Sequence, residues 1–309
     1  MDAVNRKSAN LIRIESRWMV LIAAALLCQA CGGSAVADNM PPIASAKIDG
    51  EAVLQAVTRF DTTGSSDADG SIASKQWEYG DGSTGTGDSH SYTAVGTYSA
   101  RLTVTDNQGA QSQSTVSVTV AKCSADGLSL AAISPQHSVV CMQTTLGELV
   151  LELFPAQAPI TVGNFLKYVD DGFYVGTLVH RVIAGFVAQG GGFTSGMVAK
   201  QAAYSPIALE SNNGLSNSIY TLAMARTSVP ASATSQFFVN LVDNSACLNR
   251  GTFACDATGD GYAVFGQLLA TTSRQAIVDA IAGVATTTVG GNANVPVTEI
   301  VVRSAVRVP

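Results

Sequence analysis

Few residues of this chain are of types that do chemistry, and most of those read as structure. Six cysteines, three histidines and scattered carboxylates are the candidates for metal or covalent chemistry. Cys123, Cys141, Cys247 and Cys255 lie in the body of the chain. No C-x-x-C occurs among these four, and the histidines are scattered, which is not a zinc pattern. An even number of cysteines in an exported chain points to disulfides. Proximity favours Cys123–Cys141 and Cys247–Cys255, one of three possible pairings; four buried thiols are the alternative. Asp67, Asp69 and Asp81 could offer oxygens to calcium. No Glu follows at ligand spacing, so they read as turn residues that bond their own backbone. Asp256 and Asp260 read the same way, and no metal is expected. Arg181 remains, within Val179-His180-Arg181-Val182-Ile183-Ala184-Gly185-Phe186-Val187-Ala188-Gln189-Gly190-Gly191-Gly192-Phe193-Thr194. A guanidinium stays charged at any relevant pH and presents its donors in a rigid fork. Taken singly, Arg181 also reads as a surface ion-pair partner, and Phe186, Phe238 and Leu248 as core. His180 should point to the opposite face of a strand from Arg181 and reads as structural.

The scaffold holding these residues is strand-rich. Of 309 residues, 47% are apolar but only 13% are charged, about half the usual ~25%. Gly, Ser, Thr, Asn and Gln fill the difference. A disordered charged tail and a charge-laced coiled coil are thereby excluded. A net charge of −6 argues against a nucleic-acid partner.

The N-terminus reads as an address. Arg6, Lys7, Arg13 and Arg17 precede an apolar run over residues 18–27, too short for a membrane span of about 20 residues. A basic segment, a short apolar core and small residues make a secretory signal. Leu27-Cys28-Gln29-Ala30-Cys31-Gly32-Gly33 resembles a bacterial lipobox, with Cys28 where Leu is usual. Residues 1–30 are therefore expected to be removed, Cys31 to be lipidated, and 31–40 to act as a tether. An ordinary signal cut near residues 35–37 is the alternative. Loss of 1–30 takes the net charge from −6 to −8. The acyl chains would hold the protein on a membrane without a spanning helix.

Two β units follow. Residues 41–121 alternate apolar and polar over 100–104 and 115–120, with Val116, Val118 and Val120 on one face. Turn clusters at 64–70, 80–83 and 106–109 separate the strands, which reads as a sandwich. Residues 122–138 read as a linker. From 139 to 309 more strands appear, with helix patterns opening at Pro159 and over 272–281. Many strands with two helices suggest a barrel whose ends the helices cover.

Two resemblances sharpen this. Trp77-Glu78-Tyr79-Gly80-Asp81-Gly82, Gly96-Thr97-Tyr98 and Leu102-Thr103-Val104-Thr105-Asp106-Asn107 resemble a PKD domain. That implies an immunoglobulin-like β-sandwich with Trp77 as core anchor, serving as spacer or adhesion module. The Val179–Thr194 stretch resembles the cyclophilin signature. Leu222-Ala223-Met224-Ala225-Arg226, Ser235-Gln236-Phe237-Phe238-Val239-Asn240 and Gly261-Tyr262-Ala263-Val264-Phe265-Gly266 agree with it, closest to the periplasmic bacterial branch. This implies an eight-stranded antiparallel barrel with peptidyl-prolyl cis–trans isomerase activity, needing no cofactor. The fold class is thus dominated by β-structure.

By the same resemblance, Arg181 is the catalytic arginine and Gln189 binds the substrate backbone and orients it. Phe186, Val187, Phe238 and Leu248 form the proline pocket. Ala225 and Arg226 offer backbone groups to the residue before proline. Gln236 belongs to the binding set, and Tyr262 could donate its hydroxyl to a substrate carbonyl. Cys247 stands where many members carry Trp or Phe, which implies weak binding of the family's cyclic inhibitor. A Cys247–Cys255 bridge would rigidify the pocket rim. The expectation is a monomeric, lipid-anchored envelope isomerase facing the periplasm, with the outer membrane as its site. Its partners would be proline-containing polypeptides. A non-catalytic proline-peptide binder and a surface adhesion protein are the rival readings.

Overall fold

A computed structural model describes residues 38–133, 136–269 and 272–308. The expected signal segment, Cys31 as the expected lipidation site and most of the expected tether lie outside the described residues. Among the described residues no helix is long and apolar enough to cross a membrane.

The first unit has seven strands: β1 Lys47–Asp49, β2 Thr58–Asp61, β3 Ile72–Glu78, β4 Thr84–Gly85, β5 Ser89–His90, β6 Gly96–Asp106 and β7 Gln111–Val120. They form two antiparallel sheets, β1-β2-β5 and β4-β3-β6-β7. Alternation sends Ala100, Leu102 and Val104 of β6 inward against Phe60, Trp77, Tyr92 and Val118. Trp77 is fully buried, and its indole N–H donates to Asp88 Oδ1 at 3.0 Å. The same carboxylate accepts from Thr62 and Lys75, so the polar edge of the anchor is satisfied. After β3 the chain reverses at Gly80, whose φ is +88°. A Cβ there would stand 2.7 Å from the Ser99 carbonyl oxygen, so only glycine fits.

Of the carboxylates read as turn residues, Asp67 and Asp69 lie close together and Asp81 stands apart with other partners. Asp81 Oδ1 accepts the Ser83 N–H at 3.0 Å, and its Oδ2 pairs with His90. Asp69 instead accepts the Met40 N–H at 3.0 Å.

The segment expected to be a linker is partly helical. Helix α1, Ala125–Ile133, is tied down by the Cys123–Cys141 disulfide. Leu130 joins Val139, Val150 and Val308 in a small core of its own. A Cβ on Gly127 would meet both sulfurs of the bridge, so this helix carries glycine where the disulfide crosses it. The helix escapes a reading by pattern because it is short and packs through one leucine and a covalent bond rather than an apolar stripe.

The second unit holds β8 Ser138–Thr144, β9 Gly147–Leu153, α2 Pro159–Asp170, β10 Thr177–Val182, β11 Val187–Thr194, β12 Val198–Ala199, β13 Thr221–Met224 and β14 Phe237–Asn240. Then come α3 Ser245–Leu248, β15 Val264–Leu268, α4 Thr272–Ala282, β16 Thr286–Val289, β17 Asn292–Pro296 and β18 Val302–Val308. The main sheet runs β10-β11-β14-β13-β15-β9-β8-β18, all antiparallel. A bridge between Leu178 and Val301 brings its last strand back to its first and closes an eight-stranded barrel. Helix α2 begins at Pro159, where a proline costs no helical bond. Glu210 accepts the Ile160 and Thr161 N–H groups at 3.1 and 2.7 Å, satisfying donors that the helix leaves open. Val162, Phe165 and Val169 face the barrel core, as the i, i+3, i+7 spacing requires.

Candidate active site

Strand alternation divides the barrel's apolar residues into two sets. Ala188, Leu222, Met224, Phe237, Val239 and Phe265 point inward to the main core. Their neighbours Val187, Ala223, Phe238 and Val264 point outward and form a separate cluster with Leu248. All five are at most 4% exposed, so this outer-wall cluster is itself covered, with Phe186, Ala225, Cys247 and Tyr262 packed against it. Arg181 and Gln189 are register partners on β10 and β11, and Gln189 pairs with Phe238 on β14. The backbone ladder therefore sets an arginine, an amide and an aromatic ring side by side.

These residues line one cavity of about 320 Å³. Arg181, Phe186, Val187, Gln189, Ala225, Arg226, Phe238, Leu248 and Tyr262 all contribute, nine of the ten positions expected to contact substrate. Cys255 also lines it, where only a disulfide was expected, and is bonded to Cys247. Arg181 Nη1 donates to Gln189 Oε1 at 3.3 Å, and Gln189 Nε2 donates to Gln236 Oε1 at 2.9 Å. Gln236 is the tenth position, and it stands behind Gln189 rather than on this cavity. Its amide fills space that glycine leaves: a Cβ on Gly192 would fall 2.5 Å from the Gln236 Cδ. Gln236 therefore orients the residue that orients Arg181.

Residues 139–307 match the family described as "Cyclophilin type peptidyl-prolyl cis-trans isomerase/CLD". The chain belongs to that family. Residues 39–120 match the PKD domain. The cyclophilin part is 51% identical over 168 residues to "Peptidyl-prolyl cis-trans isomerase cyp18" of Streptomyces antibioticus, covering 54% of this chain and 97% of that protein. It is 45% identical over 166 residues to "Peptidyl-prolyl cis-trans isomerase B" of Escherichia coli, covering 54% of this chain and 97% of the relative. A third relative, "Peptidyl-prolyl cis-trans isomerase A" of Dickeya dadantii, is 45% identical over 183 residues, 58% of this chain and 91% of its own length.

The geometry accounts for how a cyclophilin turns an X–Pro bond. The barrier, about 18–20 kcal/mol, is the resonance that makes the C–N bond partly double. Phe186, Phe238 and Leu248 line the cavity together and can grip a proline ring while the peptide on its other side turns. As such a bond twists, the nitrogen lone pair localises, and a guanidinium in the position of Arg181 can donate a hydrogen bond to it. That bond is strongest in the twisted state, so it lowers the barrier rather than binding the ground state.

Sequence reasoning missed the frame under the pocket. Asn217, Asn240 and Asn244 are buried. Asn244 Nδ2 donates to the Phe186 carbonyl at 2.9 Å and to Asn240 Oδ1 at 2.8 Å. Asn240 donates to Asn217 Oδ1, which in turn donates through Nδ2 to the carbonyls of Leu248 and Tyr262. One amide network thus joins three pocket residues from three parts of the chain. The sequence carries little signal for it: Asn240 ends an apolar run, but Asn217 lies between two serines and Asn244 between Asp243 and Ser245.

His180 overturns the expectation that it turns away from Arg181. The β10–β11 register slips between Val179 and Arg181, so β10 carries an extra residue at His180. Such a bulge breaks strict alternation. His180 and Arg181 both line a second cavity of about 510 Å³, shared with Gln189, Phe193, Gln236 and residues 291–294. Burial pushes the His180 pKa down to about 4; a hydrogen bond at Leu178 opposes this and the Arg181 charge adds to it. The unfolded chain takes up the proton near 6.5. As pH falls from 6.5 toward 4, the unfolded state gains a proton that the folded state refuses. Stability should therefore drop by about 3 kcal/mol across that window. Urea unfolding at pH 7, 5 and 4 should show this slope, and His180→Asn should remove it. Asp81 and Asp256, both held near 2, act only in the lower window beneath their usual 3.8.

Proposed function

We propose that this cyclophilin works outside the cytoplasm, anchored to a membrane through lipidated Cys31, and isomerises X–Pro bonds of exported or envelope polypeptides as they fold. The observation that carries this reading is the run 27–33, a lipobox-like sequence directly after a signal-like apolar segment. Two disulfide pairings, Cys123–Cys141 and Cys247–Cys255, support an oxidising compartment. The sandwich then serves as a spacer that lifts the barrel from the surface, and an acidic mature chain gains nothing by lying on an anionic leaflet. The protein acts as a monomer.

Mass spectrometry of the mature protein's N-terminal peptide should find an acylated Cys31. Cys31→Ser should move the protein from the membrane to the soluble envelope fraction. An unmodified N-terminus at residues 35–37 would refute the anchor, and cytoplasmic retention would refute the location. Deletion of residues 41–121 should weaken the cellular role while sparing turnover. If the role were lost completely with turnover intact, adhesion by the sandwich would replace the folding role. Light scattering of the purified protein should give the monomer mass.

A further inference from the structure

Arg226 lines the proline cavity, yet its charge is withdrawn from it. Its side chain is only 1% exposed. Nε donates to the Gly261 carbonyl at 3.0 Å, Nη1 to the Thr227 carbonyl at 2.9 Å, and Nη2 to Asp256 Oδ2 at 2.5 Å. Its guanidinium carbon sits 4.7 Å from the centre of the Tyr262 ring, which itself packs edge-on against Phe238. Every part of the fork is engaged by the protein.

Asp256 is as strongly held. Its Oδ2 also accepts the Gly261 N–H at 2.9 Å, and its Oδ1 accepts the Thr258 hydroxyl at 2.8 Å. Burial alone would raise its pKa, but the Thr258 and Gly261 hydrogen bonds and the Arg226 charge hold it at about 2. It is therefore an anion at any physiological pH. The residue before it, Cys255, is bonded to Cys247 at the end of α3, next to Leu248 in the pocket. The bridge closes an eight-residue separation and ties down the loop whose Asp256 meets Arg226.

We propose that Asp256, delivered by the Cys247–Cys255 bridge, is a specificity-determining and positioning residue: it clamps and neutralises Arg226 in the wall of the cavity, so that the site takes X–Pro bonds without regard to the charge of the flanking residue. Without the clamp, a guanidinium at the edge of a partly dry pocket would favour acidic neighbours and repel basic ones. Inside such a site the field of one charge is weakly screened. The exposed Arg250 lies on the same loop, so the comparison is always with the wild type.

This inference rests on isomerase turnover at this cavity. The test uses the full mature chain and peptides Ala-X-Pro-Phe with X as Ala, Glu or Lys. Wild type should turn over the Glu and Lys peptides with kcat/KM values within a few-fold of each other. Asp256→Asn keeps the shape and removes the charge. It should raise the Glu-over-Lys ratio about tenfold at low ionic strength, mainly through KM, and the gain should fade in high salt. A purely structural role for Asp256 would lower all three peptides together and leave the ratio and its salt dependence unchanged. Should Asp256→Asn fail to fold, the double variant Cys247→Ser/Cys255→Ser loosens the same clamp and should shift the ratio in the same direction. An unmoved ratio in a folded variant, with wild type active, overturns this inference alone. No turnover by wild type on any peptide overturns the isomerase reading, and this inference with it.

Discussion

Arg181→Ala should lower kcat/KM on an X–Pro peptide by about 10²–10³-fold, the usual cost of deleting one well-placed transition-state donor. The loss should fall on kcat, because the apolar lining of Phe186, Phe238 and Leu248 that would hold the ring is not touched by the substitution. Stability should hardly change. Arg181 is only partly buried, and the hydrogen bond between its side chain and Gln189 is long at 3.3 Å. Arg181→Lys should recover little, since an ammonium lacks the fork that meets Gln189 and the substrate nitrogen together. Gln189→Ala should cost less than Arg181→Ala, because it frees the arginine without removing it. The measurement is a cis–trans exchange assay beside thermal unfolding. A variant that keeps more than a tenth of the wild-type kcat/KM would remove Arg181 from the reacting centre.

Trp77→Ala should destabilise the sandwich by about 3–5 kcal/mol, the cost of emptying a fully buried aromatic site. Trp77 packs tilted against Phe60 at 4.5 Å and stacks on Tyr79 at 5.9 Å, and it holds Asp88 through its indole N–H. Its removal opens a cavity and leaves the Asp88 carboxylate, about a third exposed, short of one donor. The sandwich core and the barrel core share no residue. The catalytic groups all lie in the barrel, so turnover should stay at the wild-type rate while calorimetry shows an early transition. A fall in turnover that tracks the loss of the sandwich would show that the two β units are coupled energetically.

Much of the site was legible through the motifs shared with cyclophilins, and strand alternation explains how those motifs place their residues. In Phe237-Phe238-Val239 a period of two assigns alternate residues to opposite sides, and the structure puts Phe237 and Val239 inside the barrel and Phe238 outside it. Pro159 and Gly172 bracket α2 as their backbone preferences require. Helix α1 was not legible, since a disulfide and one leucine hold it. The bulge at His180 was not legible either, because a register slip depends on the partner strand and leaves no mark in its own residues.

The sequence by itself determined the chemistry of this protein: a permanently charged donor, an amide and three apolar grips, in an order that barrel strands could bring together. Residue type sets what each group can donate and alternation sets which side it faces, but it was the order and spacing shared with the cyclophilin motifs that marked these residues as one site. Only the tertiary structure decided how those groups are held and which charges the substrate meets. It joined Asn217, Asn240 and Asn244 beneath the pocket, placed Gln236 behind Gln189, and paired Arg226 with Asp256, 30 residues away. A buried polar group is satisfied by whatever partner the fold brings within about 3 Å, and that partner has no fixed distance along the chain.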